Sequence, residues 1–253
     1  MQARASDWYR HGWDLSMKTM PWVEHTEAEV DFLIDRLGLQ GGERILDLAC
    51  GYGRHALAFA RRGFSVVGVD ITPVYVEDAN RTAAAERLPA EFLLSDIREV
   101  SADSAFDVVL NLADGAIGYL ENDAENLKIF DVIARALKPG GKHFMDIGNA
   151  DHADACFPMQ CWDAGTHGMT FSAFDWDPQT RIMLYGGYDM PYGTPLQKPE
   201  ILQGDPTRLY ALAEVTEIFR QRGMAVQAAW SSYQGDPVHV RAHQMMVYSQ
   251  KLA

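Results

Sequence analysis

The sequence predicts an α/β fold: a doubly wound, seven-stranded, mostly parallel sheet. Three observations predict it. From about residue 42 onward, short β-rich apolar runs alternate with segments of helical periodicity. The runs are apolar throughout, as strands covered by helices on both faces are. Glycine or Pro-Gly marks most of the changeovers, as in right-handed β-α-β crossovers.

Residues 1–40 form an N-terminal lid and helix. Trp8, Tyr9, His11, Trp13 and Trp22 are too many large rings for a solvated tail. Thr26-Glu27-Ala28-Glu29 reads as a capping box. It opens a helix with Val30, Leu33, Ile34 and Leu37 on one face, stopped by Gly38. Arg44–Ala49 is the first buried strand, followed by a helix from Arg54 to Arg62. Phe64–Asp70 is the second strand, and Pro73 suits the first turn of the next helix. Glu91–Ser95 and Phe106–Leu112 are the third and fourth strands. Asn122 caps a helix carrying Leu127, Phe130, Ala134 and Leu137. Lys138-Pro139-Gly140-Gly141 then turns the chain into a fifth strand, Lys142–Ile147. Residues 149–206, rich in proline and aromatics, break the rhythm and read as a small inserted antiparallel lobe, with a strand at Arg181–Met190. A helix around Leu212–Phe219 and strands at Met224–Ser231 and Arg241–Gln250 return to the main domain, which comprises 41–148 and 207–253.

Composition narrows the function. The 253 residues carry 35 acids against 22 bases, a net charge of −13. A nucleic-acid partner calls for a basic face, and no Lys/Arg run supplies one. No apolar run is long enough for a membrane span, and the N-terminus lacks a signal peptide's apolar stretch. The expectation is a cytoplasmic protein acting on a small molecule, with no nucleic-acid or membrane partner. Cys50, Cys156 and Cys161 match no zinc spacing, and His239-x-x-x-His243 falls on an expected strand, so no metal is expected.

The informative segment is Asp47-Leu48-Ala49-Cys50-Gly51-Tyr52-Gly53-Arg54-His55-Ala56. Its glycines let backbone approach a ligand at a helix N-terminus. Gly51-x-Gly53-x-x-Ala56 also fits a dinucleotide fingerprint, so a nicotinamide oxidoreductase is the rival reading. Asp47, inside the strand, suits an ammonium group and would repel a pyrophosphate. Asp70, ending the second strand, can accept ribose hydroxyls under either reading. Asp96, after the third strand, can accept an adenine amine, with Ile97 packing on the ring; the bland alternative for Asp96 is a helix cap.

The segments ILDLACGYGRHALAFA, VVGVDIT, LLSDIRE, FDVVLNL and ALKPGGKHFMDI, in that order, resemble the signatures of class I S-adenosylmethionine-dependent methyltransferases over about residues 42–148. The resemblance implies sheet order 3-2-1-4-5-7-6 and S-adenosylmethionine as cofactor, with S-adenosylhomocysteine as product. It implies Asp47, Ala49, Gly51 and Gly53 at the methionine end, Asp70 and Ile71 at the ribose, Asp96 and Ile97 at the adenine, and Asn111 and Leu112 near the sulfonium. Tyr9 and Trp22 either close over the cofactor, an aromatic face suiting a sulfonium, or pack the segment on the sheet.

The reaction implied is in-line methyl transfer to nitrogen or oxygen of a small acceptor, with nitrogen favoured. A protein of this fold that binds the cofactor for non-methylating chemistry is a further alternative. On the acceptor side Asp114 is the first candidate, followed by Tyr119, Arg241 and His11, with His152 and His167 behind them. The lobe's aromatics either shape an acceptor pocket or form an interface, which would make the protein a homodimer.

Overall fold

The computed structural model describes residues 1–253, the side chain of Pro21 excepted. The chain enters through a two-residue strand, β1 (Gln2–Ala3), and three 3-10 turns (Trp8–Arg10, Leu15–Thr19, Pro21–His25). Then come α1 (Thr26–Leu37), β2 (Arg44–Leu48), α2 (Arg54–Arg61), β3 (Ser65–Asp70), α3 (Pro73–Glu86), β4 (Ala90–Leu94), β5 (Phe106–Asn111), α4 (Asp123–Ala136) and β6 (Leu137–Gly148). The inserted part holds α5 (Ala150–Cys156), β7 (Met159–Ala164), β8 (Gly168–Asp177), β9 (Ile182–Pro191) and β10 (Gln203–Arg208). The main domain resumes with α6 (Leu212–Arg220), β11 (Met224–Trp230) and β12 (Gln244–Lys251).

The seven-stranded sheet runs β11-β12-β6-β5-β2-β3-β4. β12 is antiparallel to both neighbours, and the other pairings are parallel. Alternation along each strand builds two cores, one on each face. Ile45, Val66, Val108, Leu110 and Phe144 pack toward α1, α2 and α3. Leu46, Leu48, Val69, Val109 and Met145 pack toward α4 and α6. The C-terminal ends of β2, β3 and β5 therefore open on one crevice, where ligands of such sheets bind.

Several local expectations change. Thr26 is the first residue of α1 and makes no cap; its hydroxyl donates to the Val23 carbonyl, and Glu29 turns inward instead of back to the helix end. The Lys138–Gly141 segment is an irregularity within one long strand: Phe106 pairs with Leu137 and Val108 with Lys142. β12 begins at Gln244, which leaves Arg241 in an exposed turn. The lobe is a five-stranded sheet, β1-β10-β9-β8-β7, with the extreme N-terminus as its parallel edge. The Met1 ammonium pairs with Asp175 there. Among the described residues no helix is long and apolar enough to cross a membrane.

Gly118 joins lobe and domain. Its carbonyl accepts from Arg208 N at 2.8 Å, its φ is +87°, and a Cβ would lie 2.0 Å from the Arg208 carbonyl oxygen. Gly118→Ala is expected to destabilise the fold by about 3 kcal/mol, through overpacking and a strained backbone. Thermal unfolding checks this, and an unchanged Tm would contradict the close approach.

Candidate active site

β2 alternates so that Ile45 and Asp47 share the face covered by α2. Beyond Leu48 the chain reverses through three left-handed residues: Ala49 (φ 56°), Gly51 (57°) and Gly53 (78°). Gly53 precedes α2, whose first N–H groups have no partner within the helix. The turn is tied to β3 by Cys50 N donating to the Val69 carbonyl at 3.1 Å and Gly51 N donating to Asp70 Oδ2 at 2.8 Å.

A cavity of about 180 Å³ opens over this turn. Its floor is Asp47, Ala49, Gly51 and Asp70, with Ile71, Thr72 and Tyr75 on one side and Leu112, Ala113, Gly115 and Tyr119 on the other. Tyr9, Trp13, Met17 and Trp22 roof it. Side-chain contacts hold the roof: Tyr9 donates to Glu121 at 2.7 Å, Tyr75 to the Asp14 carbonyl at 3.0 Å, and Lys18 pairs with buried Asp78. Trp8 packs 4.7 Å from Tyr119 and donates to the Pro206 carbonyl, so lid, cavity and lobe meet at one corner.

The floor is acidic and dry. Burial pushes the Asp47 carboxyl up to about 7; the Arg54 charge opposes this and Asp70 adds to it. Burial also raises Asp70, restrained by the N–H groups of Thr72 and Gly51. Those two donors take one lone pair from each oxygen and leave one on each for a ligand. Tyr52 Oη is buried at the cavity and has no partner. Uncompensated carboxylates and an orphaned hydroxyl fit a cationic, hydroxyl-bearing ligand.

Behind the floor lies a cluster that sequence reasoning missed. Glu29 accepts from Arg54 and from His55 Nε2 at 2.7 Å, and Arg54 also donates to Thr26 Oγ1 at 2.8 Å. Burial pulls Glu29 upward, but the His55 hydrogen bond and the Arg54 charge outweigh it and hold the carboxyl low. Burial drives His55 down to about 4, so it is neutral and donates through Nε2. Arg54 and His55 both border the cavity. Beside this cluster, burial raises Asp146 to about 8, with Asp114 and Glu29 adding to the shift.

Of the residues marked in the sequence, Tyr9, Trp22, Asp47, Ala49, Gly51, Asp70, Ile71, Leu112 and Tyr119 border the cavity. The others are placed elsewhere. A Cβ on Gly53 would lie 2.6 Å from the Phe92 ring, so that glycine serves helix–strand packing. Asp96 caps the 3-10 turn Ile97–Glu99. Its Oδ1 accepts Arg98 N and Nε, and its Oδ2 accepts Arg98 Nη2 at 2.6 Å and Arg10 Nη2 at 3.2 Å. Four donors fill the lone pairs an adenine amine would need. Ile97 is in the core. Asn111 is fully buried, donating to the Gly115 carbonyl and facing His143. His11 is exposed beside Asp7, and Arg241 is exposed on its turn. Asp114 borders a second, smaller cavity that also holds His243. Tyr52 and Arg54, which the sequence assigned no contact of their own, and the unmarked Thr72 and Tyr75 also border the main cavity; Tyr75, in the first turn of α3 after Pro73, was the most findable.

Residues 45–141 match the family described as "Methyltransferase domain". The chain is similar to a protein of Geobacillus sp. (strain WCH70) bearing a provisional methyltransferase name, 30% identical over 149 residues, 59% of this chain and 60% of that protein. It thus spans about three fifths of that relative's length. It is 28% identical over 216 residues to the cypemycin N-terminal methyltransferase of Streptomyces sp., covering 81% and 82% of the two chains. Among solved structures, the CcbJ methyltransferase from Streptomyces caelestis superposes with TM-score 0.74 at 16% identity, over 98% of this chain and 96% of that one. At that identity the likeness speaks for the fold.

Proposed function

Because residues 45–141 constitute a methyltransferase domain of the class I, S-adenosylmethionine-dependent fold, we propose that the chain transfers a methyl group from that cofactor to a small amine in the cytoplasm. The observation that carries this reading is the pair of buried carboxylates, Asp47 and Asp70, set about Gly51 under an aromatic roof. Asp47 holds the cofactor's ammonium group, Asp70 its ribose hydroxyls, and Tyr52 Oη a further polar atom. Ala49 and Gly51 bring backbone close, while Ile71 and Leu112 pack on the nucleoside. Tyr9, Trp13 and Trp22 cover it. Residues 1–40 supply the lid and the first helix, 41–148 and 207–253 the cofactor domain, and 149–206 the acceptor lobe.

When bound, the cofactor supplies an electrophilic methyl carbon on positive sulfur. The chain's task is then to orient the acceptor's lone pair, exclude water and remove a proton. Nitrogen is favoured over oxygen by charge. Glu29, Asp47 and Asp146 share the field of one guanidinium, Arg54, with Asp70 beside Asp47 and Asp114 beside Asp146, so the region is complementary to cations. The similarity to an N-terminal methyltransferase agrees with that choice.

The test is transfer of tritiated methyl from S-adenosylmethionine to benzylamine, phenethylamine and tryptamine, each against its hydroxyl counterpart. At least one amine is expected to exceed its counterpart about tenfold, roughly 1.4 kcal/mol in barrier. Label transfer to none of them would overturn the amine reading.

A further inference from the structure

After β5 the chain makes a turn that the sequence gives little reason to expect. Ala113, Asp114, Gly115 and Ala116 have φ of 50°, 68°, 51° and 59°, four left-handed residues in succession. Such a conformation costs about 1 kcal/mol or more at each non-glycine position, so the surroundings must impose it. They do so through Asp114 N donating to the Asp146 carbonyl at 2.8 Å and Asn111 Nδ2 donating to the Gly115 carbonyl at 2.9 Å.

The turn divides its side chains between two cavities. Ala113, Gly115 and Ala116 face the main cavity with Tyr119, whereas Asp114 faces the smaller one. One hydrogen bond joins the two sides: Tyr119 Oη donates to Asp114 Oδ2 at 2.9 Å. The smaller cavity has about 20 Å³, space for a single water, and is walled by Asp114, Thr207, Arg208, Tyr210 and His243. His243 Nδ1 is buried and without a partner. Its ring is wedged 5.0 Å from Phe174 and 5.8 Å from Phe157, which fixes its orientation at the seam between lobe and domain.

We propose that Tyr119 and Asp114 form the acid–base dyad of the reaction cavity, and that His243 is a positioning residue holding the far oxygen of Asp114 across the one-water cavity. The inference rests on the methyl-transfer reading above. The acceptor ammonium gives its proton to Tyr119 Oη as the Tyr119 proton passes to Asp114 Oδ2. The freed nitrogen lone pair forms the new N–C bond while the S–C bond breaks, its electrons staying on sulfur. Asp114 then loses its proton to solvent as the lobe releases product, which restores the starting charges. Burial raises Asp114 from its ordinary value, against the Tyr119 and Gly148 hydrogen bonds, which makes it a stronger base.

Asp146 of β6 faces Asp114 and, raised to about 8, is largely protonated at neutral pH. Arg208 beside the small cavity is committed to Glu214 and Asp123, and the Tyr210 hydroxyl donates to Asp123. Tyr119 faces Asp205 and Tyr185 of the lobe, and His243 faces His152 of α5. Burial, with His152 adding, lowers His243 to about 4, so it acts as a neutral hydrogen-bonding group.

The first readout needs neither cofactor nor acceptor. Nitrogen-15 spectra of the histidine rings in the full chain are expected to show the His243 Nδ1 signal moving in Asp114→Asn, with His152 moving less. The Asp114 carboxyl carbon is expected to titrate with a shifted midpoint in His243→Asn. The second readout uses the fastest amine of the panel above. Tyr119→Phe and Asp114→Asn should each lower kcat about 10²-fold, within the usual range for general-base removal. S-adenosylhomocysteine affinity should stay within about twofold, well under one 1.4 kcal/mol step. His243→Asn should move the acidic limb of the kcat profile. Unchanged His243 signals in Asp114→Asn, or an unmoved acidic limb in His243→Asn, overturn the relay. Coupled signals in a protein that binds no S-adenosylhomocysteine overturn the methyl-transfer reading instead, and the dyad's catalytic role with it.

Discussion

Asp47→Asn is expected to weaken S-adenosylhomocysteine binding roughly 10- to 100-fold at pH 8, the ~1.5–3 kcal/mol of a charge-assisted hydrogen bond, while raising the Tm of the ligand-free protein. The two effects have one cause. The Asp47 carboxyl is buried without a full counter-charge and titrates near 7 when folded, against 3.8 when exposed. Between those values the folded chain keeps a proton that the unfolded chain has lost, so stability falls as pH rises through this window. Below about pH 4 both states are protonated and asparagine confers no advantage; above 7 its stabilising effect is complete. Binding an ammonium group reverses the preference and requires the ionised form. Wild-type affinity should therefore strengthen as pH rises from 6 to 7 and level off above, by at most about tenfold per unit. Calorimetric titration of wild type and variant at pH 6 and 8, with thermal melts of the free proteins, checks both halves. A variant that binds as well as wild type would remove Asp47 from the site.

The largest expected loss of stability belongs to Glu29→Ala. This carboxylate is 7% exposed and is the shared partner of Arg54 and His55. Removing it strands a buried guanidinium and a buried imidazole, which costs about 3–5 kcal/mol. For a chain of this size that corresponds to a Tm lower by roughly 10 °C. The sign with pH is opposite to that of Asp47. Glu29 is held below its ordinary 4.5, so its contribution is whole above that value and is lost as pH falls through the lower, folded value. The gap between variant and wild type should be full at pH 7 and shrink in acid. Glu29→Gln, which keeps one acceptor, should lose less. A Tm unchanged in Glu29→Ala would show that α1 and α2 are not joined through this residue.

What could be read from the sequence follows from range of interaction. The alternation of elements, the cap at Asn122 and the stop at Gly38 are local, and each appears in the structure. That Asp47 and Asp70 border one cavity could be anticipated because strand ends in such a sheet converge by topology alone. Glu29 was misread because Thr26-x-x-Glu29 satisfies a local pattern, whereas its partners lie 25 and 26 residues further on. Asp96 was given to a ligand over the cap because the pattern does not show that Arg98, two residues on, and Arg10, 86 residues earlier, together fill its lone pairs. The left-handed turn at 113–116 went unseen because only Gly115 carries a signal, and the strain is imposed by β6. Arg241 was expected to begin the last strand and His11 to lie in the lid; the strand starts three residues later and both side chains are exposed.

The most direct measurement is a crystal structure of the S-adenosylhomocysteine complex. The ammonium group is expected within hydrogen-bond distance of Asp47, the ribose on Asp70, and rings of the 8–22 segment over the nucleoside, with Asp96 still held by Arg98. A nucleoside seated away from Gly51, or Asp47 and Asp70 both turned from it, would contradict this placement.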